Sequence, residues 1–269
     1  RYLASALGVM ALMLFVMAYR IRNQHRATFR WATALLVMVM LQGAFGAWTV
    51  TLKLWPQVVT AHLLGGLTCL SLLVALVLSC RRYGGVALTV KSTREMRQWL
   101  ALLSFVLVLQ IAFGGWTSRH YAGVGCVGFP QCNGEWWPAM DMSEGFHLSQ
   151  TIGPHYLYGQ LHAEARTAIH FVHRLNALLL GLVIVLAGWR AAKLQSAARR
   201  PLLLALVAFC LQLLLGVMLV TQGMPLWVAL AHTAGAVALL LLLWWAWHLS
   251  GQWQMQTHPE LVKGGVQYE

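Results

Sequence analysis

Several histidines lie in long apolar segments, where an ionisable side chain is costly unless it has a partner or a function. His62, His173 and His232 each lie near one end of such a segment. Two neutral imidazoles from facing helices are the usual axial ligands of heme iron in a membrane bundle. The sequence therefore predicts His173 and His232 as heme-iron ligands and His62 as a ligand of a second heme.

An internal repeat supports this assignment. Residues 41–62 match residues 211–232 without a gap, and 20 residues separate glutamine from histidine in both copies (62 − 42 and 232 − 212). A single histidine near a helix end is more often an interfacial or hydrogen-bonded residue than a ligand. Its recurrence in the same context favours a shared function and predicts two related bundles.

Residues beside the histidines have candidate roles as well. Gly65 and Gly235 would let helices, or a flat macrocycle, approach closely. Arg174 points toward the zone where heme propionates would emerge, although it could also snorkel to the interface. His170 shares a helix face with His173, and we consider three roles for it: hydrogen-bond partner, substrate contact or alternative ligand.

Long apolar segments position these residues. The chain of 269 residues is 59% hydrophobic and 10% charged, whereas a soluble domain carries about 25% charged residues. A bilayer-spanning helix needs about 20 apolar residues. Seven segments meet this length: 3–20, 31–51, 57–80, 98–118, 167–190, 201–221 and 226–248.

The charges predict the topology. The net charge of +12 comes from arginines and lysines in short loops between the segments, which is a cytoplasmic signal. No nucleic-acid-binding signature accompanies them, so we expect no nucleic-acid partner. Loop 119–166 then lies on the opposite side, and the three histidines lie toward that outer face.

We predict an all-α, polytopic transmembrane helical bundle of two pseudo-symmetric four-helix halves. By comparison of the halves the first helix is missing, which leaves seven helices and places a further histidine before Arg1. The predicted units are an N-terminal half (1–80), a cytoplasmic linker (81–97), a C-terminal half (98–248) that includes loop 119–166, and a cytoplasmic tail (249–269).

Two cysteines lie six residues apart in the outer loop. Cys126 and Cys132 would face an oxidising compartment, which favours a disulfide between them. Two free thiols are the simplest alternative. A zinc site with His120 or His147 is another, although the spacing matches no standard zinc motif.

Two runs of residues and the duplicated bundle carry a family resemblance. The runs are Gly114–Ser118 with Cys126–Gly134 (GGWTS…CVGFPQCNG) and Leu161–Glu164 with Ile169–Leu175 (LHAE…IHFVHRL). Together they resemble heme A synthase across nearly the whole chain. The resemblance implies an oxidoreductase that converts the C8 methyl group of heme O to a formyl group, giving heme A for cytochrome oxidase.

The resemblance also implies roles for individual residues. His173 and His232 match the ligands of a heme B cofactor in the C-terminal half. His62 matches a catalytic histidine that receives the substrate heme O, and Cys126 and Cys132 match the cysteine pair. A glutamate implicated in catalysis would precede Arg1, so the resemblance implies that the chain without it is inactive.

The expected setting follows from the same resemblance. It implies a multi-pass protein of the bacterial inner membrane, in contact with membrane lipid, with its heme sites toward the periplasm. Heme O synthase and oxidase assembly factors are the expected protein partners, and a homo-oligomer is compatible with the sequence. Histidine pairs also occur in diheme electron-transfer proteins of cytochrome b type and in non-catalytic heme carriers or exporters. The outer-loop motif argues against the cytochrome b type. Heme spectra distinguish a carrier from an oxidoreductase.

Overall fold

The computed structural model describes residues 2–81, 94–148 and 159–250. Within these residues the chain is all-α, and the only β-type pairing is an isolated bridge between Cys132 and Glu135. The helices are α1 (Tyr2–Arg20), α2 (Arg26–Thr51), α3 (Pro56–Arg81), α4 (Arg94–Arg119), α5 (Met142–Gly145), α6 (Ala163–Lys193), α7 (Arg199–Thr221) and α8 (Leu226–Ser250).

Seven of these helices are long and apolar enough to cross a bilayer. The predicted polytopic all-α bundle is therefore confirmed. The linker predicted at 81–97 and the tail predicted at 249–269 fall largely on residues 82–93 and 251–269, which lie outside the described residues, as does Arg1.

The helices extend further than their apolar segments. α4 begins at Arg94 rather than at 98, and α6 spans Ala163–Lys193 rather than 167–190. Backbone polar groups near a bilayer are best satisfied within a helix, so helices continue through the interface, where long charged side chains reach water. Glu95, in the extension of α4, forms an ion pair of 3.3 Å with Arg190, the last residue of the predicted segment in α6.

Two separate hydrophobic clusters hold the bundle. The larger one joins α4, α6, α7 and α8 through side chains such as Leu100, Leu180 and Leu202. The smaller one joins α1, α2 and α3 around Ala32 and Leu76. The clusters are separate, and the division of the chain into two halves stays a prediction. α3 connects them, because leucines of α3 pack against the larger cluster.

The outer loop packs closely on the start of α6. A Cβ added to Gly125 would lie 2.6 Å from the carbonyl carbon of Arg166 and 2.9 Å from the backbone nitrogen of Thr167. The indole N–H of Trp116 in α4 donates to the carbonyl oxygen of Gly145 at 2.9 Å. The loop is therefore held against both α4 and α6.

The Gly125 contact predicts a selective loss of stability. Gly125→Ala should lower the free energy of unfolding by about 1–3 kcal/mol, because the new methyl group meets backbone atoms that have little room to move. Gly188→Ala is the matched control, since a Cβ there meets nothing within 4 Å and alanine is favoured over glycine in a helix. Thermal unfolding in detergent measures both changes, and equal melting temperatures for the two variants would contradict the prediction.

Candidate functional site

The first candidate ligand lies between α2 and α3. His62 is half-buried, and a Cβ added to Gly46 would lie 3.4 Å from its Cε1 atom. One turn away, the side-chain amide of Gln42 packs against Gly65. Each helix thus contributes one polar side chain and one glycine, in opposite order, so that each side chain packs against the glycine of the other helix.

The same arrangement joins α7 and α8. A Cβ on Gly216 would lie 3.4 Å from Cε1 of His232, and the amide of Gln212 packs against Gly235. Gln212 also donates a hydrogen bond to the backbone carbonyl of His232. The predicted repeat is thus present as a contact pattern as well as a sequence pattern.

A third pair joins α4 and α6. A Cβ on Gly114 would lie 3.3 Å from Cε1 of His173. The side-chain nitrogen of Gln110 lies 3.3 Å from Nδ1 and 3.4 Å from Nε2 of the same imidazole. Here a side chain of the neighbouring helix contacts the ring nitrogens themselves.

Sequence reasoning missed Gln110, although a signal for it was present. A glutamine is followed four residues later by a glycine at Gln42, Gln110 and Gln212. The glycines predicted to admit a macrocycle, Gly65 and Gly235, instead accommodate glutamine side chains in this structure. The glycines that face the imidazoles lie on the partner helices.

His173 and His232 lie within electrostatic range of each other, and their role as a pair of axial ligands stays a prediction. Within residues 2–81, 94–148 and 159–250, no three side chains of the His, Cys, Asp or Glu type converge on one point. Two imidazoles are enough for heme, because the porphyrin supplies the other four nitrogen ligands.

The residues present fit a heme. Nδ1 of His62 and Nδ1 of His232 are buried without a hydrogen-bond partner, and a buried polar group of this kind calls for one. A glycine faces the edge of each imidazole, so no side chain of that residue fills the space beside the ring. A neutral imidazole is a common axial ligand of heme iron.

Comparison with known proteins agrees with this geometry. The family model named COX15-CtaA and described as cytochrome oxidase assembly protein matches residues 1–244. The chain belongs to the COX15-CtaA family.

Curated relatives cover most of the chain. The heme A synthase of Shewanella oneidensis is 36% identical over 256 residues, which are 93% of this chain and 76% of that protein. The heme A synthase of Erythrobacter litoralis is 28% identical over 93% of this chain and 72% of that protein. The heme A synthase of Paracoccus denitrificans is 31% identical over 81% of this chain and 58% of that protein.

In this COX15-CtaA protein Arg174 binds the outer loop. Its guanidinium donates to the carbonyl oxygens of Cys126 at 2.8 Å, Gly128 at 3.0 Å and Gln131 at 3.2 Å. The predicted contact with heme propionates stays a prediction. The structure shows a different engagement, in which the residue next to His173 holds the loop in place.

The predicted disulfide between Cys126 and Cys132 is confirmed. The segment around it is clamped onto α6. Asn133 accepts from the backbone N–H of Val127 at 2.9 Å and donates to the carbonyl of Gly125 at 3.1 Å, while Thr167 donates to the same carbonyl at 2.6 Å. Asn133 and Thr167 were not predicted, because their role depends on how the loop meets the helix.

His170 lies one turn before His173 and is buried beneath the same loop. It hydrogen-bonds the backbone of Ala122 and Gly123, whereas its Nδ1 has no partner. His170 thus contacts the base of the outer loop, and the three roles considered for it stay predictions.

His120, immediately after α4, is a second buried histidine of the outer loop. It is 2% exposed, its ring centroid lies 4.4 Å from that of Trp116, and its Nε2 has no hydrogen-bond partner. Burial lowers the pKa of His120 from its ordinary value of 6.5 to about 4. The folded loop therefore contains the neutral imidazole at physiological pH.

This pKa predicts a pH-dependent stability. Below about pH 6.5 the unfolded state binds a proton at His120, whereas the folded state accepts that proton only near pH 4. The contribution of neutral His120 to the free energy of unfolding is therefore fully present above pH 6.5 and decreases as the pH falls toward 4. The loss attributable to His120 is at most about 3 kcal/mol. Thermal unfolding of the wild type and His120→Phe at pH 7.5, 6 and 5 should show a flatter pH dependence in the variant. Parallel curves would show that His120 does not contribute.

Proposed function

We propose that this chain is a heme A synthase, an oxidoreductase that converts the C8 methyl group of heme O to a formyl group. The observation that carries the proposal is that His173 and His232 lie within electrostatic range of each other and that a glycine faces each ring, in a chain that belongs to the COX15-CtaA family. The relatives are named heme A synthase, and the reaction proposed for this chain is taken from that name.

In the C-terminal half we assign His173 and His232 as the axial ligands of heme B. They come from α6 and α8, whose side chains share the larger hydrophobic cluster. A heme with two imidazole ligands supplies one-electron transfer when bound. The helices hold the two imidazoles in place and surround them with apolar side chains that exclude water.

In the N-terminal half we assign His62 to the iron of the substrate, heme O. Ligation there would orient the porphyrin, while Gly46 leaves room beside the ring. α3, which carries His62, also packs on α4 and α8. The substrate site and the cofactor site would therefore lie on neighbouring packed helices, which would keep the two hemes close.

The orientation of the protein and its partners belong to the same proposal. We propose that the histidine-containing ends of the helices face the periplasm of a bacterial inner membrane, because the arginines and lysines lie in loops at the opposite ends. The outer loop, fastened by Arg174 and the disulfide, would cover the cofactor site. We propose heme O synthase as the source of the substrate and oxidase assembly factors as recipients of the product.

The ligand assignment predicts loss of heme from specific variants. His173→Ala and His232→Ala should each lower the content of low-spin heme B by about 10-fold or more, because one axial ligand is lost. His162→Ala is the control, since this exposed histidine pairs with Glu144 at 3.0 Å. Reduced-minus-oxidised spectra of the purified full-length protein measure the heme content.

His62→Ala should give a different result. We expect heme B to be retained and heme A to be lost, because this substitution alters only the proposed substrate site. Pigment extraction and chromatography distinguish hemes B, O and A. Undiminished heme B in both His173→Ala and His232→Ala would sink the ligand assignment, and undiminished heme A in His62→Ala would sink the substrate assignment.

A further inference from the structure

A groove lies between α6 and α7 at the end of the bundle away from the histidines to which we assign heme. Its volume is about 180 Å³. Gly188, one of its lining residues, follows His173 by 15 residues (188 − 173), which corresponds to about 22 Å along a helix. The groove is therefore separate from the assigned heme sites.

The walls of the groove are apolar except for Arg199. Its buried lining residues include Leu202, whereas Val185 and Leu203 are exposed and belong to spanning helices, where exposed side chains face lipid. A Cβ added to Gly188 meets nothing within 4 Å, so the groove has open space at that position. Pockets for drug-sized ligands measure about 300–1,000 Å³. This smaller groove therefore has room for part of a single apolar chain.

Uncompensated positive charge lies beside the groove. Of the acidic side chains in the part of the chain that the structure describes, only Glu95 lies at this end of the bundle, and it pairs with Arg190 at 3.3 Å. Arg199 lines the groove, and Nζ of Lys193 lies 4.0 Å from the ring centroid of Trp189, another lining residue. Neither Arg199 nor Lys193 forms an ion pair with a described residue. The groove and its two cations match a ligand that is anionic at one end and apolar at the other.

Trp189 indicates that the groove opens at a surface of the bilayer. Tryptophan is enriched at both membrane–water interfaces, where its ring lies at the level of the headgroups. In the proposed orientation this interface is the cytoplasmic one, which carries anionic lipids. Basic pockets between membrane-spanning helices on this side bind phosphate-containing headgroups in other proteins.

We propose that the groove between α6 and α7 is a binding site for one anionic phospholipid of the cytoplasmic leaflet. Arg199 and Lys193 bind its phosphate, and the walls that include Val185 and Leu203 hold the first part of an acyl chain. A zwitterionic lipid lacks the net negative charge that these cations match, and inorganic phosphate lacks the apolar chain. The inference does not depend on the proposed function.

The test measures lipid binding to the purified full-length protein in detergent by native mass spectrometry. Phosphatidylglycerol is the probe, and phosphatidylcholine is the zwitterionic comparison. We expect one tightly bound phosphatidylglycerol per chain and much weaker binding of phosphatidylcholine. Arg199→Gln should weaken the binding of phosphatidylglycerol by about 10-fold, because it removes a charge-assisted hydrogen bond to the phosphate.

Two matched controls separate a specific site from general attraction. Arg200→Gln removes the same charge from an exposed neighbour that does not line the groove, and it should weaken binding less than Arg199→Gln. Gly188→Leu fills the groove without a change of charge and should also weaken binding by about 10-fold. Gly43→Leu should leave binding unchanged, because Gly43 is a glycine of α2 that likewise has nothing within 4 Å of an added Cβ.

Each contrary outcome would overturn the inference. Equal weakening by Arg199→Gln and Arg200→Gln would show diffuse attraction, and unweakened binding in Gly188→Leu would show that the groove is not occupied. Equal binding of phosphatidylcholine would contradict an anionic ligand, and displacement of phosphatidylglycerol by an equal concentration of inorganic phosphate would show recognition of an anion alone. If Gly188→Leu does not fold, Val185→Trp fills the groove from its exposed side and is measured instead, with the same two outcomes. None of these measurements involves heme, so their failure leaves the proposed function unaffected.

Discussion

Hydrogen bonding of imidazoles inside an apolar bundle is the constraint on which the rest of this structure depends. His62, His173 and His232 lie where the surroundings offer few polar partners, so each needs a neighbour that leaves room for a ligand or satisfies its ring nitrogens. The chain meets this need with a glycine opposite each ring and a glutamine one turn away. The same solution occurs three times, between α2 and α3, α4 and α6, and α7 and α8.

The outer loop adds a second constraint to one of the three histidines. Arg174 binds three carbonyls of the disulfide segment, and Thr167 binds a fourth. Both lie on α6, the helix that also carries His173. The outer loop is therefore fastened to the helix that carries a ligand we assign to the resident cofactor.

Parts of this arrangement were predictable from the sequence for clear physical reasons. A bilayer imposes a minimum apolar length, so the seven spanning segments were visible in the chain, although helix ends extended by as many as five residues beyond them. The repeat identified His62 and His232 as equivalent residues. Gln110 escaped notice because 63 residues, including the outer loop, separate it from His173, whereas 20 residues separate glutamine from histidine in the two detected copies.

The sequence by itself determined the class of the protein, the number of described membrane spans and the family resemblance, because composition, segment length and short motifs are local properties. Only the tertiary structure decided which residues surround each imidazole. Arg174 binds loop carbonyls, and Gly65 and Gly235 accommodate glutamines. These contacts join residues tens of positions apart, and they depend on how helices rotate and pack against each other, which hydrophobic periodicity leaves open.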